Sequence, residues 1–587
     1  MRLPFLSPGR TVRVVTDVFR GYNHKLKIAD GEMYDTENLS SDCFPLLARR
    51  PPRVKRAALH EPSGLLGGDT LIWVDDNRLY VDGEATELTM PVHYNSRQLV
   101  RFGSYVVIFP DNLYYNLSDP DDRGSLDAQT VEEGTVRFAP CDADGAPYEV
   151  RTAADTEPAS PQNGEIWLNT LEHRLLRYSL AQMAWVEIET VYTRVSFPSR
   201  GLLPQLFRAG DGAAITGLAP GELNGSKYLY GLGGGAEEDD YLVLVGLVPA
   251  QEQQNAYVTI SRAAPAMDFV IECRNRLWGC RFYDGPGTEP VNELYCSALG
   301  DFKNWRQYQG LSTDSWAASI GAPGVWTGAV NYLGRPCFFK EDRVYLVSVS
   351  ALGGHRVEEI PCRGVERGSA RSLCIVGETL YYKAGGEVMA WQGGFPVPVS
   401  GTVFGPERYC AAVGGAAGDK YYLSMSHVDD LTRDELFVYD IARGLWLRED
   451  SLGLFWAAAS GGELWAVDTR GRLLGLTGSG EGERETDADI PWRMESGILY
   501  YEYPDKKYVS RYNLRLQMAA GAEARILLEY DSSGLWIDSG TVRLRGTGTV
   551  TVPIRPRRCD HLRMKLEGTG EMKLLSVARV LELGSDV

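Results

Sequence analysis

A short apolar strand, a tight polar turn and a second strand carrying Tyr or Trp recur in that order along the chain. The pattern appears as DTLIWVDDNRLYVDGE from Asp69, GSYVVIFPDNLYYNL from Gly103 and NRLWGCRF from Asn275. It returns as GRPCFFKEDRVYLVS from Gly334, GETLYYKAGGEVMAWQGG from Gly377, DELFVYDIARGLWLRED from Asp434 and GGELWAVDTRGRLLGLTG from Gly461. Each copy predicts an antiparallel hairpin whose apolar face a lone hairpin cannot cover. Units of this kind in series bury that face by packing sheet against sheet, which predicts a β-propeller. No stretch carries apolar residues at i, i+3, i+4 and i+7 over the length of a helix, so the fold class expected is all-β.

The pattern changes at both ends and once within. Residues 1–60 hold no hydrophobic repeat long enough for a core of their own, and predict an extended N-terminal arm ordered by contact. The propeller is expected over 61–140 and 193–480. Between them, the Pro-containing entry Asp155 to Asn163 leads into GEIWLNT, HRLLRYSL and AWVEIET, a small inserted β-module at 141–192. GSGEGERETDAD, from Gly478 to Asp489, has the composition of a linker. Beyond it, 490–587 alternates cleanly. In HLRMKLEG, Leu562, Met564 and Leu566 share one face while Arg563, Lys565 and Glu567 share the other. This predicts a C-terminal β-sandwich.

Composition adds a chemical frame. The 31 Tyr, 13 Trp and 64 Gly suit strands and their turns. No run approaches the ~20 apolar residues of a membrane-spanning helix, and the opening MRLPFLSPGR lacks the apolar core of a signal peptide. The ten cysteines include no CxxC pair, and several lie inside apolar strands, so free thiols are expected. A net charge of −18 argues against nonspecific affinity for nucleic acid. The first sixty residues run the other way, with 11 Lys and Arg against 6 Asp and Glu. Arg49, Arg50, Arg53, Lys55 and Arg56 of this arm are therefore candidate partner contacts.

Catalytic signatures are not found: the sequence has no GxSxG, HExxH or GxxxxGK[ST], and its seven histidines are scattered. No cofactor or metal is expected. Asp75-Asp76, Asp121-Asp122 and Glu237 to Asp240 are the acidic candidates for a propeller glycosidase, but each falls in a hairpin turn. Asp142 to Gly145 is part of a calcium-loop pattern without its later ligands, and reads as a turn.

Several phrases resemble the tail hub, nozzle or DNA-stabilisation proteins of bacteriophages, in particular the propeller proteins that close the DNA channel of short-tailed phages. They are GEMYDTENLSSDCFPLLARRPP with Asn38, the span from Cys273 to Trp305, FFKEDRVYLVS, DKYYLSM and the C-terminal RPRRCDHLRMKLEG. The resemblance implies a structural, non-enzymatic virion protein assembled in the host bacterial cytoplasm. It further implies a homo-oligomeric ring, typically a hexamer, beneath portal and adaptor proteins, with fibre, needle or tip proteins beside or below. Viral DNA would pass through the ring without specific binding. Two other readings stand beside it: a receptor-binding or baseplate-peripheral tail protein recognising a cell-surface glycan, and a propeller glycosidase.

Overall fold

The computed structural model describes residues 11–25, 27–286, 289–349, 354–499, 506–554 and 557–583. Its regular structure is almost wholly antiparallel β, as the alternation predicts. Seven sheets form the propeller, with blades at 62–89, 98–125, 269–319, 328–361, 374–398, 409–450 and 454–475. The recurring sequence phrases supply mainly the second and third strands of these blades, such as Arg335–Lys340 and Arg343–Val349 of blade 4. Two phrases differ: NRLWGCRF contributes the single strand Leu277–Tyr283 of blade 3, and the phrase from Asp434 gives the third and fourth strands of blade 6.

A blade inside a ring has neighbours on both faces, so its middle strands lose the polar alternation of a half-exposed sheet. Val344, Tyr345, Leu346 and Val347 are all buried in succession. A separate apolar cluster fills each gap between adjacent blades. Val74 and Leu79 meet Val106 and Ile108 between blades 1 and 2, and Cys280 and Leu294 meet Phe338 and Tyr345 between blades 3 and 4. Trp456 and Trp465 of blade 7 pack on Trp73 of blade 1, so the ring closes.

Closure also has a covalent logic. Blade 7 takes its fourth strand from the N-terminal side: Val54–Ala58 lies antiparallel to Arg472–Gly475, pairing Gly475 with Val54 and Arg472 with Ala58. Glu483–Arg484, inside the expected linker, pairs with the other edge of the same strand. The remaining arm strands join the C-terminal sandwich. Thr11–Thr16 runs along Met572–Leu583, and Glu32–Glu37 pairs with Trp492–Ser496. Two sheets thus enclose one core containing Trp492, Tyr512, Leu514, Ile526 and Leu566. The described strands of the arm belong to two domains, the propeller and the sandwich, rather than to a separate one.

The insertion is larger than the sequence pattern indicates. A seven-stranded sheet built from Ala128–Cys141, Tyr192–Ser196, Gly212–Thr216, Gly225–Tyr228, Gly231–Gly233, Tyr241–Val245 and Gln251–Arg262 stands between blades 2 and 3. It has its own core around Phe138, Phe197, Phe207 and Ile260. The module foreseen at 141–192 is nested within it, as the four-stranded sheet spanning 150–187. Residues 128–140 and 193–262, assigned from the sequence to the propeller, belong to this domain. Their strands have the same composition as blade strands, and only long-range pairing such as Ala128 with Arg262 separates them.

The arm arginines are where sequence expectation and structure part most clearly. Arg53 is buried, with Nη2 2.8 Å from Glu449 and Nη1 2.5 Å from Asp450. Arg50, also buried, donates to Asn38 Oδ1 and to Glu485 at 2.7 Å. Arg49 pairs with Asp487 at 2.8 Å, and Lys55 reaches Glu483 at 4.0 Å. Arg56 donates to the Asp82 carbonyl and stacks over Trp73 and Trp465. As a correction, Arg50 and Arg53 are staples within the chain, while Arg49, Lys55 and Arg56 keep contacts at its surface. Arg50 and Arg53 present no surface to a partner, and the acids they meet lie about four hundred positions away in sequence.

Burial works to raise the Asp450 and Glu485 pKa values, but Arg53 and Arg50 overcome it and hold both below the ordinary carboxylate range. Such groups contribute stability above their unfolded pKa, about 4, and lose it as pH falls through the folded value. Glu449 runs the other way: desolvation outweighs Arg53 and raises it. Arg53→Met is expected to cost about 3–5 kcal/mol at neutral pH, because it strands buried carboxylates without a cation. Thermal melts should show this deficit narrowing as the pH is lowered and those carboxylates become protonated.

Candidate ligand site at the channel mouth

The first strands of the blades line the central channel, and their starts surround a cavity of about 650 Å³ at one end of it. That volume lies within the range of roughly 300–1,000 Å³ typical of small-molecule sites. Six blades contribute. Ser96 and Gln98 come from blade 2, Asp268 and Phe269 from blade 3, Trp326 and Thr327 from blade 4, and Arg371 precedes blade 5. Blade 6 adds Ser424, Ser426 and Asp434, and blade 7 adds Phe455 and Thr469. Behind this lining, Arg97 and Asp111 form an ion pair at 2.8 Å with both side chains fully buried. Arg97 also donates to Ser63 and to the carbonyls of Val92 and Tyr94, tying the approach to blade 2 against blade 1.

Arg371 is the distinctive group. Its Nη1 donates to the Phe455 carbonyl at 2.9 Å and its Nη2 to Ser96 Oγ at 2.6 Å, so one guanidinium links blades 5, 7 and 2. It lies 4.4 Å from the centre of the Trp456 ring. Although its surface faces the lumen, protein atoms crowd it closely, and desolvation alone brings its pKa down to about 10. No carboxylate offsets that desolvation, in contrast to the paired arginines of the arm.

The acids of the mouth differ from one another. Asp268 is committed, accepting from Arg281 Nη1 at 2.8 Å and from the Phe282 N–H at 2.7 Å. Asp434 accepts only the Ser426 hydroxyl, at 2.6 Å, and has no cationic partner among the described residues. Gly453 packs so closely that a Cβ there would fall on the Asp434 carboxyl, which fixes where that group sits. Apolar surface completes the site: Phe455 and Leu431 are exposed beside it. Trp326 Nε1 and Thr327 Oγ1 are buried there without a hydrogen-bond partner.

The turn acids proposed from the sequence are elsewhere and are engaged locally. Asp75 accepts from the N–H groups of His60 and Glu61, and Asp76 meets His60 Nδ1 at 2.8 Å. Asp122 accepts from Tyr105 and Asn116. Asp240 is buried in the inserted domain, where it accepts from the N–H groups of Gly201, Leu202 and Leu203. Asp142 caps its own turn through the N–H groups of Asp144 and Ala146. Sequence reasoning missed Arg371, which stands in no motif, and Asp434, which opens a blade phrase but carries no catalytic signature. The one local signal is a polar residue where a blade strand begins, and its meaning depends on ring closure. Among the described residues, no group of three or more His, Cys, Asp or Glu side chains is placed to hold a metal ion.

Water in the lumen solvates the exposed Arg371, so its missing counter-charge costs the fold little. Arg371→Met is expected to lower the melting temperature far less than Arg53→Met does. Differential scanning calorimetry of the two variants side by side checks this.

No family model matches the chain, and no curated protein does. Solved structures to which it is similar include the exo-β-1,3-galactanase of Phanerochaete chrysosporium, at 9% identity over 53% of this chain and 94% of that one, with a TM-score of 0.23. The phage phi92 endosialidase matches at 10% identity over 75% and 68%, with a TM-score of 0.21. A Trypanosoma rangeli sialidase matches at 10% over 99% and 97%, with a TM-score of 0.16. Likeness at this level assigns no residue a role. It does correct the expectation of a non-enzymatic chain: glycosidases and sialidases stand among the proteins it is similar to, so the exclusion of enzymatic activity is withdrawn.

Proposed function

We propose that the channel mouth binds a glycan, and that the chain is a glycan-recognising propeller of the kind that meets a cell surface at a phage tail. The observation that carries this reading is the mixture of groups around one cavity. Sugars present hydroxyls on their edges and C–H groups on their faces. The mouth offers the acceptor Asp434 and the hydroxyls of Ser96, Ser426 and Thr469 for the edges. Phe455 and Leu431 provide apolar surface for the faces. Arg371, a cation without a counter-ion, favours a sugar bearing a carboxylate or sulfate.

The phage-tail setting is supported by the sequence phrases given above. A ring-forming connector would draw on the same phrases, but Arg50 and Arg53 of the basic arm that suggested its contacts are engaged inside the chain. Glycan recognition is the reading with a formed site.

The test is binding of the full chain to a glycan array that includes acidic polysaccharides, followed by product analysis of every glycan bound. Saturable binding is expected, weakened about tenfold or more by Asp434→Asn and by Phe455→Ala, a loss of at least 1.4 kcal/mol. Arg371→Met should lose the acidic glycans selectively. Turnover of a bound glycan would add catalysis to recognition. Absence of saturable binding by folded protein, or binding indifferent to all three substitutions, would overturn the reading.

A further inference from the structure

The end of the propeller opposite the mouth carries a second cavity, of about 670 Å³, between blades 3 and 4. Its position follows from the strands. Phe269, at the start of Phe269–Glu272, lines the mouth, whereas Cys273 and Arg274, just beyond its end, line this cleft. Likewise Thr327 precedes Gly328–Tyr332 at the mouth, and Gly334 follows it at the cleft.

The lining is unusual for a chain of net charge −18: it includes Arg274, Arg276, Arg335 and His355 and, among the described residues, no Asp or Glu. Arg276 forms part of the wall. Only 5% exposed, it donates to the carbonyls of Ser297, Asp314 and Ser312 at 2.8, 2.7 and 2.6 Å. Carbonyl dipoles orient the guanidinium without cancelling its charge. Arg274 and Arg335 are exposed at the rim, and neither has an ion-pair partner among the described residues. Glu272, in the same turn as Arg274, accepts the Asn275 N–H, keeps its negative charge and is not among the residues that line the cavity.

Two further features hold the cluster in place. Arg274 and Asn275 both have positive φ, 54° and 58°, a conformation an arginine adopts at a cost of about 1–2 kcal/mol. Strain of this kind is kept where the surrounding structure dictates it. His355 is packed against Trp278 and Trp316, with ring centroids 5.2 Å away in each case. Its imidazole and the Ser312 and Ser348 side chains supply neutral polar groups beside the cations.

We infer that this cleft binds a phosphate or sulfate group carried on a saccharide-sized ligand. Arginine forks match tetrahedral oxyanions in charge and geometry, and the cavity is too large to be filled by a bare ion. The site is independent of the mouth and of the function proposed there.

Isothermal titration of the full chain at low salt, with inorganic pyrophosphate, glucose 6-phosphate and glucose as probes, tests it. Saturable binding of the two phosphates and none of glucose is expected. The double variant Arg274→Gln/Arg335→Gln should weaken it at least tenfold, while Asp434→Asn, at the other end of the channel, leaves it unchanged. Tighter binding of glucose 6-phosphate than of pyrophosphate supports a saccharide carrier. Equal or weaker binding overturns the carrier and retains the oxyanion. No saturable binding of either phosphate, or equal affinity in the double variant, overturns the site. Both substitutions fall on exposed side chains, and matching circular dichroism melts would separate loss of the site from loss of the fold.

Discussion

Each blade has two apolar faces and can cover neither alone, so every interface in the ring depends on the ring being complete. Six of the seven interfaces join blades that are neighbours along the chain, although the inserted domain separates blades 2 and 3 in sequence. The seventh joins its two ends, and rests on the pairing of Val54–Ala58 with Arg472–Gly475 and on the Trp73, Trp456 and Trp465 cluster. The Arg53 contacts to Glu449 and Asp450 fix the segment that delivers this strand. A buried ion pair is a poor source of net stability but a demanding specifier of geometry, since a misplaced partner leaves a charge unpaired. Placed beside the closing strand, that demand sets which segment completes the last sheet. The sandwich built on the same arm anchors that segment from the other side.

The same reasoning explains why a domain of some 135 residues is tolerated between blades 2 and 3. Its first and last strands pair from Ala128 with Arg262 onward, so the chain leaves and rejoins the propeller at adjacent points. Closing a longer loop costs only about 0.6 kcal/mol for each doubling of length. With its ends already neighbours and a core of its own, the insert imposes little on the blades.

What the sequence revealed follows from the range of the interactions involved. Hairpins such as Cys337 to Leu346 are local, and their alternation and turns are written in neighbouring residues. The insert boundaries were misplaced because strands such as Tyr241–Val245 differ from blade strands only in their partners. The arm arginines were misread for a related reason. Positive charge is visible at Arg50 and Arg53, but Glu485 and Glu449, which absorb it, are distant in sequence. Conversely, Arg371 and Asp434 looked ordinary because a group at the mouth gains its meaning only when six blades converge.

At the mouth Arg371 and Asp434 stand without an ion-pair partner among the described residues, as do Arg274 and Arg335 at the opposite end, with Arg276 behind them. The strand Phe269–Glu272 separates the two ends, and four residues of strand span about 13 Å. It is hydrogen-bonded into blade 3 and packed against both neighbouring blades, so it cannot lengthen or shift without opening an apolar interface. Such a strut holds the two cavities at a set distance. Each presents its groups in a fixed position, and a ligand that engaged both would gain from their constant spacing rather than from any change in shape.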